Sequence, residues 1–124
     1  MPPNTIRAAH AEAYGAPEVV RLRDILAPVP GDDDVLIDVH FSTVSSGDAR
    51  IRASRAPRGF GLVVRLIFGL TRPRRPILGT ELSGIVAAVG AKVTAFRPGD
   101  AVFAFPGGKM GAHAEQVVMP AMGR

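Results

Sequence analysis

The sequence predicts a mainly β fold, namely a partly open β-barrel of about six short strands with one or two short helices. Short apolar runs recur between turn signals, and the 14 glycines and 11 prolines are scattered along the 124 residues instead of forming a linker. The 47% hydrophobic content suits one folded domain with its own core, and no internal repeat divides the chain.

The predicted strands share an apolar run bounded by glycine, proline or acidic residues, and they lie at residues 6–10, 19–24, 35–44, 82–89, 101–105 and 112–118. The third strand has the clearest pattern. Val35, Ile37, Val39 and Phe41 occupy alternate positions in it. Because successive side chains of a strand point to opposite faces, these four are expected on the buried face of a sheet.

Two helices are predicted between the third and fourth strands. The run Ser45-Ser46-Gly47-Asp48 is typical of a helix start, because a serine caps free amides and an early aspartate suits the positive end of the helix dipole. This helix is expected to continue to about residue 53. Apolar residues within 60–70 recur at helical spacing and predict a second helix.

Charge and composition exclude several classes of protein. The net charge of +4 attracts phosphates, including those of a dinucleotide, but is too small and dispersed to indicate nucleic acid. Cysteine is absent and no signal peptide is visible, which favours the cytoplasm. The longest apolar stretch, residues 60–70, is interrupted by Arg65 and is about half as long as a membrane-spanning helix requires.

Seven segments resemble, in order and spacing, the zinc-independent, quinone-oxidoreductase-like members of the medium-chain dehydrogenase/reductase superfamily, which includes the alcohol dehydrogenases. They are YGAPEV (14–19), PGDDDVLIDV (30–39), VSSGD (44–48), PILGTELSGIV (76–86), VGAKVTAF (89–96), PGDAV (98–102) and GAHAE (111–115), with Pro120 following. The resemblance covers nearly the whole chain. It implies that residues 1–124 form a GroES-like barrel, the substrate-side catalytic domain.

In that family the barrel is normally followed by a Rossmann cofactor domain and a short return to the barrel. No Gly-x-Gly-x-x-Gly stands between a strand and a helix here, since Gly59-Phe60-Gly61 lacks the third glycine. The cofactor domain is therefore expected to be absent from this chain. We expect the 124 residues alone to be inactive.

The resemblance also implies catalysis without zinc. Zinc-dependent relatives have a cysteine after the long strand and a His-Glu pair where this chain has Thr80-Glu81. Ser45 and Thr80 occupy the two metal-ligand positions, and hydroxyls are poor zinc ligands. The loop that binds a structural zinc in some relatives is missing. The histidines have no paired spacing and are interpreted as surface or strand residues, at His10, His40 and His113.

The implied reaction is direct hydride transfer from NADPH, favoured over NADH, to a quinone, an enone or another activated carbonyl compound. The cofactor would be bound mainly by the missing domain. Ser45 and Ser46 match positions that touch nicotinamide or substrate in the family. A hydroxyl there could donate to the substrate carbonyl, cap the helix, or do both.

The other cleft candidates receive structural interpretations. Asp48 is expected to stabilise the helix start, in preference to transferring protons. Thr80 is expected to line the cleft. Glu81 is expected to be a buried carboxylate in a structural ion pair. Its candidate partners are Arg50, Arg52 and Arg55.

Alternatives remain open for the segment 60–75 and for the whole chain. The segment could be a lid, a dimer contact, a helix packed on the barrel or a membrane-surface element, with packing or a lid favoured. A homodimer is one of the open alternatives for the parent enzyme. The rival function is a free-standing, co-chaperonin-like interaction module with residues 60–70 as its partner loop. A ring assembly would favour that rival, and a monomer or dimer the enzyme.

Overall fold

A computed structural model describes residues 4–122 as two antiparallel sheets joined by loops and two short helices. In chain order the elements are β1 (Thr5–Ala11), β2 (Val20–Leu26), β3 (Asp34–Ser42), α1 (Ser46–Arg52), α2 (Gly61–Phe68), β4 (Leu82–Val89), β5 (Ala101–Ala104) and β6 (Gln116–Pro120). Strands β1 and β2 form a hairpin, and the larger sheet has the order β5-β4-β3-β6. Within residues 4–122 the sheets do not close on themselves, so the predicted mainly β, partly open fold is confirmed.

The core lies on one face of the larger sheet. Val35 and Ile37 of β3 pack there with Leu82 and Val117. Phe41, predicted to join them, is 76% exposed, so that prediction is wrong. The pairing of β3 with β4 is irregular between Val39 and Phe41. Such a bulge interrupts the alternation of side chains, and Phe41 therefore leaves the buried face.

The last strand begins later than the sequence predicts, at residue 116 instead of 112. Residues 112–115, here called the connecting segment, form hydrogen bonds with other parts of the fold. The Ala9 amide donates to the His113 carbonyl at 2.9 Å, and the His113 amide donates to the Leu78 carbonyl at 3.0 Å. Because these backbone groups are already paired, the connecting segment ties the hairpin to the loop before β4.

Helix α2 leaves most of its apolar side chains in solvent. Leu62 is 68% exposed and Ile67 is 61% exposed, and no residue of this helix is fully buried. Phe68 packs against a small cluster formed by Ala11, Leu78 and Met110. The helix is therefore held by one side only. No helix within residues 4–122 combines the length and the apolar character needed to cross a bilayer.

The Glu115 carboxylate fastens the connecting segment to β1. Its Oε2 accepts the Arg7 backbone N–H at 2.7 Å, and its Oε1 accepts the Arg7 guanidinium at 3.2 Å. The hydrogen bond from the Arg7 amide, helped by that guanidinium, lowers the pKa of Glu115 from its ordinary value of 4.5. A depressed folded-state pKa contributes stability above 4.5, and this contribution disappears as the pH falls through the folded value.

We therefore expect Glu115→Gln to lower the melting temperature at neutral pH. The deficit, which is the difference in melting temperature from the unaltered chain, should become smaller as the pH is lowered. Melting curves followed by circular dichroism from about pH 3 to about pH 7 measure this deficit. Glu18→Gln is the matched control, because the Glu18 side chain is exposed. A Glu115→Gln deficit that stays constant across this pH range would contradict the role assigned to the carboxylate.

Candidate active site

The start of α1 is a complete capping box. The Asp48 amide donates to Ser45 Oγ at 3.3 Å, and the Ser45 amide donates to Asp48 Oδ2 at 2.8 Å. The Ser45 hydroxyl also donates to Asp48 Oδ2, at 3.0 Å. These bonds satisfy amides that a helix start would leave unpaired. The predicted role of Asp48 at the helix start is confirmed.

Asp48 also joins two distant segments of the chain. Its side chain is buried, with the residue only 2% exposed, and its Oδ1 accepts the Gly79 backbone N–H at 3.0 Å. Both carboxylate oxygens are thus occupied by N–H or O–H donors. This cross-link brings the segment containing Ser45 and Ser46 close to the Gly79-Thr80 loop.

His113 completes this cluster. Its Nε2 lies 2.8 Å from the Thr43 carbonyl oxygen and 4.0 Å from Asp48 Oδ2. The half-buried ring lies in the connecting segment, so interpreting His113 as a surface or strand residue was wrong. Spacing along the chain could not reveal it, since 70 positions separate His113 from Thr43. His10 and His40 do lie in strands, β1 and β3.

Gly79 permits the close approach of His113. A Cβ at Gly79 would lie 2.6 Å from Cδ2 of His113 and 2.9 Å from Cβ of Ala112, far inside normal contact. The residue also has a φ of +99°, in the region that favours glycine. The absence of a side chain at position 79 is therefore a requirement of the site.

The remaining sequence candidates are more exposed. Ser46, in the first turn of α1, is exposed, and its hydroxyl makes no hydrogen bond within residues 4–122. Thr80 is half-buried beside Gly79. Glu81 is exposed and accepts a hydrogen bond from the Thr43 hydroxyl at 3.0 Å, so the expected buried ion pair is wrong. An exposed carboxylate stays hydrated and requires no arginine partner.

Three aromatic rings beside Thr43 and Glu81 were not among the sequence candidates. Phe41, Phe103 and Phe105, which are 76%, 90% and 69% exposed, line a mainly apolar cavity of about 490 Å³. Its volume is in the range of small-molecule sites. Alternation could not have revealed this group, because it places Phe41 on the buried face of β3 and does not show that Phe41 and Phe103 meet.

The donor set around the cluster is poor in metal ligands. Among residues 4–122, no three histidine, cysteine or acidic side chains are placed to hold a metal ion together. Ser45 and Thr80 offer only hydroxyl oxygens.

Comparisons with known proteins identify the family to which the chain belongs. The family described as "Alcohol dehydrogenase GroES-like domain" matches residues 31–123. Human quinone oxidoreductase is 35% identical over 103 residues, which are 79% of this chain and 26% of that protein. NADP-dependent alcohol dehydrogenase C of Mycobacterium bovis is 34% identical over 96 residues, 77% of this chain and 23% of that protein.

A solved structure is similar over almost the whole chain. The alcohol dehydrogenase superfamily protein of Novosphingobium aromaticivorans has a TM-score of 0.73 and 34% identity, covering 94% of this chain and 32% of that one. The chain spans about a quarter of the length of the curated relatives it matches. It belongs to the alcohol dehydrogenase GroES-like domain family, within the medium-chain dehydrogenase/reductase superfamily.

Proposed function

We propose that this chain is the substrate-side domain of a zinc-free, NADPH-dependent oxidoreductase that reduces quinones, enones or other activated carbonyl compounds. The observation that carries the proposal is the Asp48 cross-link, which brings the serine pair of α1 close to the Gly79-Thr80 loop. The similarity to a quinone oxidoreductase and to an NADP-dependent alcohol dehydrogenase supports the substrate and cofactor classes.

The chemistry of the cleft favours a mechanism without zinc. Zinc sites are built from thiolate, imidazole and carboxylate ligands. The residues at the two positions that ligate zinc in other family members are Ser45 and Thr80, and Asp48 already uses both oxygens within the protein. These side chains do not fit a catalytic zinc ion.

Hydrogen bonding distinguishes the two serines. The Ser45 hydroxyl uses its proton on Asp48 and accepts the Asp48 amide, so it serves the helix. The Ser46 hydroxyl is uncommitted in the described part of the chain and can donate to a carbonyl oxygen as negative charge develops on it. NADPH supplies the hydride when bound, mainly by a cofactor domain outside these 124 residues. Asp48 positions the turn that carries Ser46.

The test is an assay of the longest open reading frame that contains this chain. NADPH oxidation should occur with benzoquinone or a simple enone and survive dialysis against a chelator. Ser46→Ala should lower kcat about a hundredfold or more, because one donor to the developing oxyanion is lost. Ser45→Ala is the matched control, expected to cost about 1 kcal/mol of stability through the lost cap while largely retaining kcat.

Three outcomes would contradict the proposal. They are a stoichiometric zinc ion required for turnover, no oxidation of NADPH by either substrate class, and turnover by residues 1–124 alone. Equal effects of the two serine substitutions on kcat would reject the role of Ser46 and leave the cofactor and substrate classes standing.

A further inference from the structure

The stretch between Asp48 and Glu81 is strongly basic. Residues 49–80 contain eight arginines and no aspartate or glutamate. Within residues 4–122 none of these arginines forms an ion pair, because the arginines that do so are Arg7 and Arg23. The whole chain has 15 basic and 11 acidic residues. Outside residues 49–80 only seven basic residues remain against all 11 acidic ones, so the rest of the chain is net acidic. Positive charge is therefore concentrated in this one stretch.

The same stretch presents the apolar face of α2. Leu62, Leu66 and Ile67 are 68%, 52% and 61% exposed, and Phe60 and Leu70, beside the two ends of the helix, are also more than half exposed. Such a group of apolar side chains on one short element is costly in water and indicates a partner surface.

Arginines lie directly beside this apolar face. Arg74 and Arg75 line a small cavity together with Ile67 of α2. Arg72 and Arg74 line a second cavity of about 820 Å³ at the C-terminal end of the helix, with Leu70 at its wall. His10 also lines it, and its Nδ1 is buried without a hydrogen-bond partner in the described residues. A polar, positively charged cavity thus adjoins the apolar face of α2.

We propose that α2 and the arginines flanking it form a docking surface for an anionic phospholipid membrane. The apolar side chains of α2 would enter the boundary between headgroups and acyl chains, while Arg72, Arg74 and Arg75 pair with lipid phosphates. A membrane accounts for both the apolar face of α2 and the arginines without an ion pair, whereas a soluble polyanion would bind the arginines and leave the apolar face in water.

A protein partner is disfavoured because a helix of eight residues is only about 12 Å long and offers little of the roughly 800 Å² that stable interfaces bury on each side. The proposal is independent of the oxidoreductase function.

The experiment is vesicle flotation of the product of the longest open reading frame that contains this chain. Vesicles of phosphatidylcholine with about one third phosphatidylglycerol should carry the protein to the top of the gradient, and pure phosphatidylcholine vesicles should carry much less. Arg72→Gln with Arg74→Gln should weaken partitioning about tenfold or more, and Leu66→Ser with Ile67→Ser should do the same. Circular dichroism of each variant checks that it folds.

The matched control removes two positive charges elsewhere. Lys92→Gln with Arg97→Gln alters two exposed residues of the loop between β4 and β5 and should change partitioning less than about twofold. Equal losses from the two charge pairs, or no flotation with the anionic vesicles, would overturn the proposal. So would retention of binding by the Leu66→Ser, Ile67→Ser variant, which would indicate attraction of charge alone. Concentration-dependent dimers abolished by that variant, without flotation, would assign the surface to a second copy.

Discussion

Asp48→Asn is expected to destabilise the domain by about 2–4 kcal/mol, although the two side chains have nearly the same shape. Each carboxylate oxygen accepts from a donor: Oδ2 from the Ser45 amide and hydroxyl, and Oδ1 from the Gly79 amide. An asparagine has one oxygen, so its NH2 group must face an N–H donor on one side or the other. Burial denies water to the group left unpaired.

Urea unfolding followed by circular dichroism measures this loss. Asp100→Asn is the matched control, because the exposed Asp100 accepts a turn hydrogen bond from the Arg97 amide through a single oxygen. An asparagine oxygen can replace that acceptor, and the control should stay within about 0.5 kcal/mol of the unaltered chain. If the two variants unfold at the same urea concentration, the buried cross-link does not contribute as described.

Gly79→Ala is expected to cost about 2–5 kcal/mol, from two separate sources. A side chain at a φ of +99° strains the backbone. The new methyl group would also overlap the His113 ring, at 2.6 Å from Cδ2, and the Ala112 side chain. Relief of that overlap requires the connecting segment to move away from Asp48, so the site should be distorted as well.

Gly99→Ala separates these two sources. Gly99 has a nearly identical φ of +96°, but within residues 4–122 nothing apart from its own chain neighbours lies within 4 Å of the position its Cβ would take. It should therefore show only the backbone strain, about 1–2 kcal/mol. Thermal melting of the two variants side by side gives the steric contribution as their difference. Equal melting temperatures would mean that His113 and Ala112 are not packed against Gly79.

The features that the sequence predicted correctly are determined by nearby residues. The helix start at Ser45 depends on a side chain three positions away, and β4 (Leu82–Val89) was predicted with its observed ends because turn residues bound an apolar run. The family resemblance placed Ser45 and Thr80 at the two metal-ligand positions of zinc-dependent relatives, and thus implied that these two residues lie near each other. The Asp48 contact with Gly79 agrees with that expectation.

The features that it predicted wrongly depend on contacts between distant residues. The placement of His113 beside Thr43 follows from hydrogen bonds that the connecting segment makes with β1 and with the loop before β4. The exposure of Phe41 follows from an irregular register, which a local alternation pattern does not reveal. The burial of Glu81 was expected from its position in the family resemblance, whereas its side chain is exposed and lines the cavity beside Phe41 and Phe103.

The bonds between Arg7 and Glu115 have a consequence for how the domain assembles. They join residues 108 positions apart, so the first strand can meet the connecting segment only after the residues up to Glu115 have been synthesised. Closing so large a loop is entropically unfavourable until many other contacts compensate for it. His113 sits within that same late junction, two residues from Glu115. A nascent or partly folded chain therefore lacks the assembled cluster of Asp48, Gly79 and His113 until the connecting segment has packed against β1.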